Sequence, residues 1–442
     1  MDELVEGTVN ETTISNDMSP KLAKVMELAR KDTGLRLRSL AHVLDEQLLV
    51  QSFHRLRKDA AVGVDGVTKE TYGAGLRDNI RGLHDRMRTR RYRHQPIRRV
   101  RIPKANGTLR PLGISCTEDK VVQGALTTLL TAIYEPVFLD CSYGCRPNRS
   151  AHDAIKTLHG SASGEVAWIL EADIEGFFDN IDRKKLIDEL KKRIDDESLL
   201  RLVGKCLHVG VMDGEAYTEP DVGTTQGSAL SPLLGNVYLH YALDEWFAGE
   251  VVPRMRGVAK LIRYVDDFVI AFEYKEDADR VLRVLPQRLV RYGLRLNPEK
   301  TRLVPFRRPR DGDDGAGPST FDFLGFTWYW SRENRGWNVC VKTQASRLTR
   351  ALAAITAWCR LHRHDAVREQ HLGLKRRLQG HFNYFAVSTN GKQVWRLLYW
   401  ATRIWRKWLT RRSQRSRMTW ARFLKLERAL PLPRPKLKPL LL

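Results

Sequence analysis

Cysteine is scarce in this 442-residue chain, and its placement suits neither metal nor disulfide chemistry. The six thiols, at positions 116, 141, 145, 206, 340 and 359, form no C-x-x-C pair. Cys141 and Cys145 alone make a poor zinc site, and nothing in the spacing suggests a disulfide framework. Long apolar runs are missing too: no stretch reaches the ~20 residues of a membrane-spanning helix, and no signal-peptide pattern opens the chain. A cytoplasmic protein with no membrane partner is the expectation. The third shortage is of acid near the C-terminus. Residues 341–442 hold 24 Lys/Arg against 3 Asp/Glu, whereas residues 1–340 hold 51 against 49. Nearly all of the net charge of +23 therefore lies in the last quarter, which points to a polyanionic partner there. A hydrophobic content of 42% with 9% aromatics excludes wholesale disorder, and the length allows two or three domains.

The basic segment is patterned as structure, not as a tail. Leu348, Leu352, Ile355 and Cys359 recur at helical spacing, as do Leu374, Leu378, Phe382 and Phe385, and then Val394, Leu398, Ala401, Trp405 and Trp408. Three such helices predict a bundle over 341–430. On the third, Arg396, Arg403 and Lys407 share the opposite face, well placed to follow a phosphate backbone. Arg376 and Arg377 on the second helix, and Arg411 and Arg412 after the third, offer further phosphate contacts. The tryptophans read as core residues, although an exposed one beside Arg or Lys would stack on an unpaired base. The Pro-rich residues 431–442 should be extended. At the other end, residues 1–20 are polar and expected to be flexible, and 21–60 show helical apolar spacing. Residues 307–319, rich in Asp, Gly and Pro, read as a surface loop.

The most informative stretch is Tyr264-Val265-Asp266-Asp267, flanked by Leu261-Ile262 and Phe268-Val269-Ile270. Two apolar runs around adjacent acids predict a β-hairpin whose tip presents carboxylates. Adjacent acids at a tight turn repel, so the arrangement makes sense around a cation. Mg²⁺ suits it because it takes oxygen ligands. Upstream, Trp168-Ile169-Leu170-Glu171-Ala172-Asp173 predicts a buried strand delivering a third carboxylate at its end, followed by Gly176 and the rings of Phe177 and Phe178. Between the two lies a Gly/Ser/Thr loop, residues 223–231, entering an apolar helix; such backbone can approach a nucleotide closely.

In this order and spacing the segments resemble the palm of reverse transcriptases, most closely the proteins encoded in bacterial group II introns. The resemblance extends to the hairpin-like residues 98–114, to Ser142-Tyr143-Gly144-Cys145-Arg146-Pro147, to residues 293–301, and to Phe323-Leu324-Gly325-Phe326. It departs at Val265, Thr225, Ser228 and Cys145, where Ala, Pro, Gly and Phe are usual, and none of these removes a ligand. The resemblance implies an α+β right-hand polymerase, with fingers and palm over 61–335 followed by an all-α thumb or maturase domain. It implies two Mg²⁺ ions, with Mn²⁺ as substitute, on Asp173, Asp266, Asp267 and the Ile174 carbonyl. It implies dNTP contacts from Lys104, Arg110, Phe178 and Gln226, with the Phe178 ring excluding a 2′-hydroxyl, and Lys300 as proton donor to pyrophosphate. The implied activity is RNA-directed DNA synthesis on an RNA template and DNA primer. Binding of a group II intron RNA and of target DNA is implied with it. The chain stops before the endonuclease domain that many such proteins carry, so it should not cut a second DNA strand itself. Rival readings are a reverse transcriptase domesticated for phage defence or repair, and a splicing-only RNA-binding protein; the intact acids argue against the latter.

Overall fold

The computed structural model describes residues 19–103, 109–214, 216–218, 222–224, 227–309, 319–333, 336–413 and 418–440. The first element of the described residues is α1 (Pro20–Lys31), capped by Ser19, whose hydroxyl accepts from the Leu22 N–H, with Pro20 in the first turn. Together with α2 (Glu46–Arg55) it packs on α3 (Thr117–Tyr134), a mostly buried helix that runs through the interior. An antiparallel hairpin, β1 (Ile97–Pro103) and β2 (Leu109–Ile114), precedes α3 and pairs Arg98 with Ile114 and Pro103 with Leu109. Next come α4 (Ala151–Ala162), held at its start by a Ser150–Asp153 capping box, and strand β3 (Trp168–Asp173). Short strands β4 (Val211–Asp213) and β5 (Ala216–Thr218) extend the first hairpin into a sheet of order β2-β1-β4-β5.

Helix α5 (Ser231–Leu239) runs into a π-helical turn, His240–Asp244, before the hairpin β6 (Ala259–Tyr264) and β7 (Asp267–Phe272). After α6 (Lys275–Val290), strand β8 (Arg302–Pro305) completes an antiparallel sheet of order β8-β3-β7-β6. Both of its faces are covered, so apolar residues point to either side of its strands. On β7, Phe268, Ile270 and Phe272 point into the core shared with α1–α3, while Val269 and Ala271 point into a second core on the other face. That second core is closed by the sheet β9 (Phe321–Phe323), β10 (Phe326–Glu333) and β11 (Gly336–Thr343), through Phe321, Trp328 and Val341.

Among the described residues the C-terminal bundle has four helices, not the three expected: α7 (Ala345–Leu361), α8 (Val367–Phe385), α9 (Gly391–Thr410) and α10 (Trp420–Ala429). The last is short, and Phe423 is its one fully buried contribution, so its periodicity hardly stands out in sequence. The expected stripes hold on α7 and α8. On α9 the core positions are Val394, Leu397, Ala401, Trp405 and Leu409, with Leu398 and Trp408 at the margin. The tryptophan expectation fails here. Trp405 is buried, but Trp395, Trp400 and Trp420 are exposed, because their positions lie off the stripe. The Pro-rich end is extended yet tied down. Leu432 enters the bundle core, Leu440 enters the second sheet core, and Lys438 pairs with Val387. Among the described residues no helix is long and apolar enough to cross a membrane.

Candidate active site

The β6–β7 hairpin turns in two residues, since Tyr264 pairs with Asp267 and leaves Val265 and Asp266 at the tip. Val265 has φ +59°, a left-handed conformation that a β-branched residue adopts only under constraint. Two features hold it. Gly144 lies directly against the turn, where any Cβ would come within 2.6 Å of the Val265 nitrogen. From inside, fully buried Arg263 donates through Nη1 to the Val265 carbonyl at 2.9 Å. Its other donors are all engaged. Nε and Nη2 reach the two oxygens of Asp244 at 2.8 and 2.5 Å, Nη1 also reaches Asn236 Oδ1 at 2.9 Å, and Nη2 reaches Ser142 Oγ at 2.8 Å. Asn236 in turn donates to the Gly144 carbonyl at 2.7 Å. The turn is thus clamped between residues 142–144, α5 and the π-turn.

Asp173 ends β3 directly opposite Asp267 on β7. Strand alternation puts both on the face shared by Glu171, Val269 and Ala271, so the carboxylates converge at one corner of the sheet. Burial, together with the charges of Asp266, Asp173 and Glu171, raises the Asp267 carboxyl to about pH 7, with the Leu324 N–H opposing the rise. Lys300 Nζ donates to Asp173 Oδ2 at 2.9 Å, and the Asp173 carbonyl accepts from the Asn297 N–H at 2.8 Å. Glu171 is raised by burial, although Arg302 Nε donates to it at 2.7 Å. Sequence reading missed both Glu171 and Arg302; the signal for Glu171 was the alternation that sets it two residues before Asp173, and Arg302 had none. The donors are all hard oxygens and mutually repelling, which fits a divalent cation in kind. In this arrangement, among the described residues, no three acidic, His or Cys side chains converge tightly enough to hold an ion, and Asp173 is paired with Lys300.

Around this corner, Ile174 follows Asp173, its side chain in the core and its backbone bridged to Leu296. Phe177 is buried against Gly235, while its neighbour Phe178, with ring centroids 5.0 Å apart, is half-buried. The Phe178 carbonyl accepts from the Thr224 N–H at 2.7 Å, so Thr224 is tied to the backbone of this turn. Gly227 has φ +108°, and a Cβ there would meet the Gly113 carbonyl of β2 at 2.6 Å, joining the loop to the first hairpin. Lys104 and Gln226 lie outside the described residues, and of Arg110 only the backbone, opposite Ile102, is described. Arg376, Arg377, Arg396, Arg403, Lys407 and Arg411 are exposed on the bundle. Arg412 is committed internally, donating to the His364 and Asp365 carbonyls.

A family model described as reverse transcriptase (RNA-dependent DNA polymerase) matches residues 102–328. Protein YkfC of Escherichia coli is 31% identical over 325 residues, which cover 66% of this chain and 84% of that protein. The group II intron-encoded protein LtrA of Lactococcus lactis subsp. cremoris is 36% identical over 200 residues, 45% of this chain and 33% of that protein. An uncharacterized 91 kDa protein in the cob intron of Schizosaccharomyces pombe is 35% identical over 204 residues, 46% of this chain and 25% of that protein. The matched stretch is thus a third or less of these intron-encoded relatives.

Two outcomes are expected from this geometry. Arg263→Met strands a buried Asp244 charge and should cost about 3–5 kcal/mol of stability in denaturant melts. Adding Asp244→Leu should recover much of that loss but not activity, because the Val265 carbonyl stays unclamped. The second concerns pH. Folded Asp267 keeps its proton up to about pH 7, whereas its ordinary value is 3.8. The folded state therefore binds more protons between those values, and stability must fall as pH rises through that window. In EDTA, the Tm of the wild type should drop more between pH 5 and pH 8 than that of Asp267→Asn. Mg²⁺ should restore more of it at pH 8, where no proton has to be displaced.

Proposed function

The chain belongs to the reverse transcriptase (RNA-dependent DNA polymerase) family, and we propose that it extends a DNA primer with dNTPs on an RNA template. In this reading residues 61–335 form fingers and palm, and the four-helix bundle forms the thumb. The observation that carries it is the cross-strand pair of Asp173 and Asp267, with Asp266 in the clamped turn between β6 and β7. Asp173, Asp266, Asp267 and the Ile174 carbonyl would hold two divalent ions, Mg²⁺ or Mn²⁺. When bound, these make the primer 3′-hydroxyl a better nucleophile and neutralise the triphosphate. Lys300, already hydrogen-bonded to Asp173, would supply the proton of the leaving pyrophosphate. Lys104, Arg110 and Gln226 belong to the segments that border the nucleotide, and half-buried Phe178 offers its ring to the sugar. The relatives encoded in introns support a second role: binding of a group II intron RNA through the basic bundle, with help to splicing and mobility on target DNA.

Primer extension on an RNA template with Mg²⁺ tests the first role. The wild type should extend, and Asp266→Ala should lose at least about 10³-fold in rate, because an interaction with the reacting charge is removed. Extension by neither protein, with tight binding of the intron RNA by both, would mean that the palm serves only as scaffold. Phe178→Ala should raise rNTP incorporation relative to dNTP by about tenfold or more, read from the kcat/KM ratio, since a steric gate of one ring is removed.

A further inference from the structure

We propose that the outward face of α9 binds unpaired nucleotides of RNA, stacking bases on Trp395, Tyr399 and Trp400 while Arg396 and Arg403 meet the phosphates. The proposal rests on the reading of the chain as an RNA-binding polymerase and adds the form of RNA recognised and the surface that does it.

The helix has two faces. Its core stripe, Val394, Leu397, Ala401, Trp405 and Leu409, is fully buried. At about 100° per residue, the direction opposite that stripe runs through Arg403 and Arg396, with Lys392 beside them. Trp395 and Tyr399 flank these cations on one side, and Trp400 flanks them on the other. The three rings are 46, 50 and 43% exposed. One such ring on a surface is unremarkable, but three within six residues around a row of cations form a patch that calls for a partner. The 20 residues of α9 contain no acid, and residues 341–442 carry 24 Lys/Arg against 3 Asp/Glu, so the partner is polyanionic.

The rings are also held for use. Arg403 lies over Tyr399 at 4.5 Å and reaches Trp420 at 5.4 Å, and the Tyr399 and Trp400 rings meet edge to face at 5.3 Å. The guanidinium thus braces the aromatic surface and still has donors for phosphate. Paired bases hide their faces inside the helix and show only edges and backbone. Large exposed rings gain from nucleic acid only where base faces are open, in loops, bulges and single strands. The surface lies beyond residues 102–328, outside the stretch that the polymerase family match covers.

The test measures binding by the full chain to a short oligouridine and to a blunt RNA duplex of equal length, across a salt titration. The triple variant Trp395→Ser, Tyr399→Ser, Trp400→Ser should lose about tenfold or more in affinity for the single strand, with an unchanged salt slope and little change on the duplex. Arg396→Gln with Arg403→Gln should lower the slope by about one to two. A circular dichroism melt checks the fold. If the triple variant melts early, Trp395→Phe with Trp400→Phe must keep single-strand binding. Equal losses on both RNAs, no loss at all, or loss of binding to anionic phosphatidylserine vesicles in place of RNA would each overturn the proposal. Asp266→Ala separates it from the polymerase reading. That variant should bind oligouridine as the wild type does. If the wild type fails to extend primers but binds through the aromatic face, only the polymerase reading falls.

Discussion

The Arg263 guanidinium is the constraint on which the active corner depends. Five N–H groups are available, and all five are used, on Asp244, Asn236, Ser142 and the Val265 carbonyl. Burying such a charge is costly unless an opposite charge and further hydrogen bonds meet it in good geometry. The π-helical turn supplies that geometry: it changes the register after α5 and brings Asp244 to Arg263. The arrangement is worth more as specificity than as stability. It fastens three separate stretches of chain to one hairpin, and that hairpin can then keep Val265 at a φ that costs of order 1–3 kcal/mol.

From the clamped turn the geometry spreads outward. Tyr264 paired with Asp267 fixes β7, and β7 sets Asp267 across from Asp173. The Leu324 N–H lies at the Asp267 carboxylate, in the two-residue turn between β9 and β10 where both Leu324 and Gly325 have positive φ. That turn is where the bundle docks. The Tyr384 hydroxyl donates to the Leu324 carbonyl at 2.9 Å, Phe385 packs on Phe326, and the Tyr384 carbonyl meets His152 at the start of α4. A shift of α8 would therefore be felt at the carboxylates through one turn, a short path from the basic bundle to the acidic corner.

Much of this could be read from sequence because it is local. The alternation around Asp173, the apolar runs flanking Asp266 and Asp267, and the 3.6-residue stripes of α7 and α8 each need only neighbours to declare themselves. What could not be read was long-range. Arg263 looks like any charge in a strand until Asp244, 19 residues earlier, is brought to it by a π-turn that leaves no periodic signature. Arg302 is unremarkable until β8 pairs with β3 and places it beside Glu171, and the ion pair of Lys300 with Asp173 appears only in the folded chain. The tryptophans of α9 misled for a related reason. Residue type suggested burial, but helical phase decides it, and Trp395 and Trp400 lie out of phase with Val394, Leu397 and Ala401.

The corner also has to exist before any cation arrives, and the structure shows how the repulsion is contained. Asp173 is paired with Lys300, Glu171 with Arg302, and Asp267 keeps its proton near neutrality. None of these devices is strong. Lys300 is largely exposed, and an exposed pair is worth at most about 1 kcal/mol. A proton near its pKa leaves at little expense. The rigid part of the site is the backbone clamped by Arg263, whereas the charges on it are held by partners that yield easily. Such a division suits a centre that must bind and release charged ligands in every cycle: the frame stays fixed while the counterions exchange.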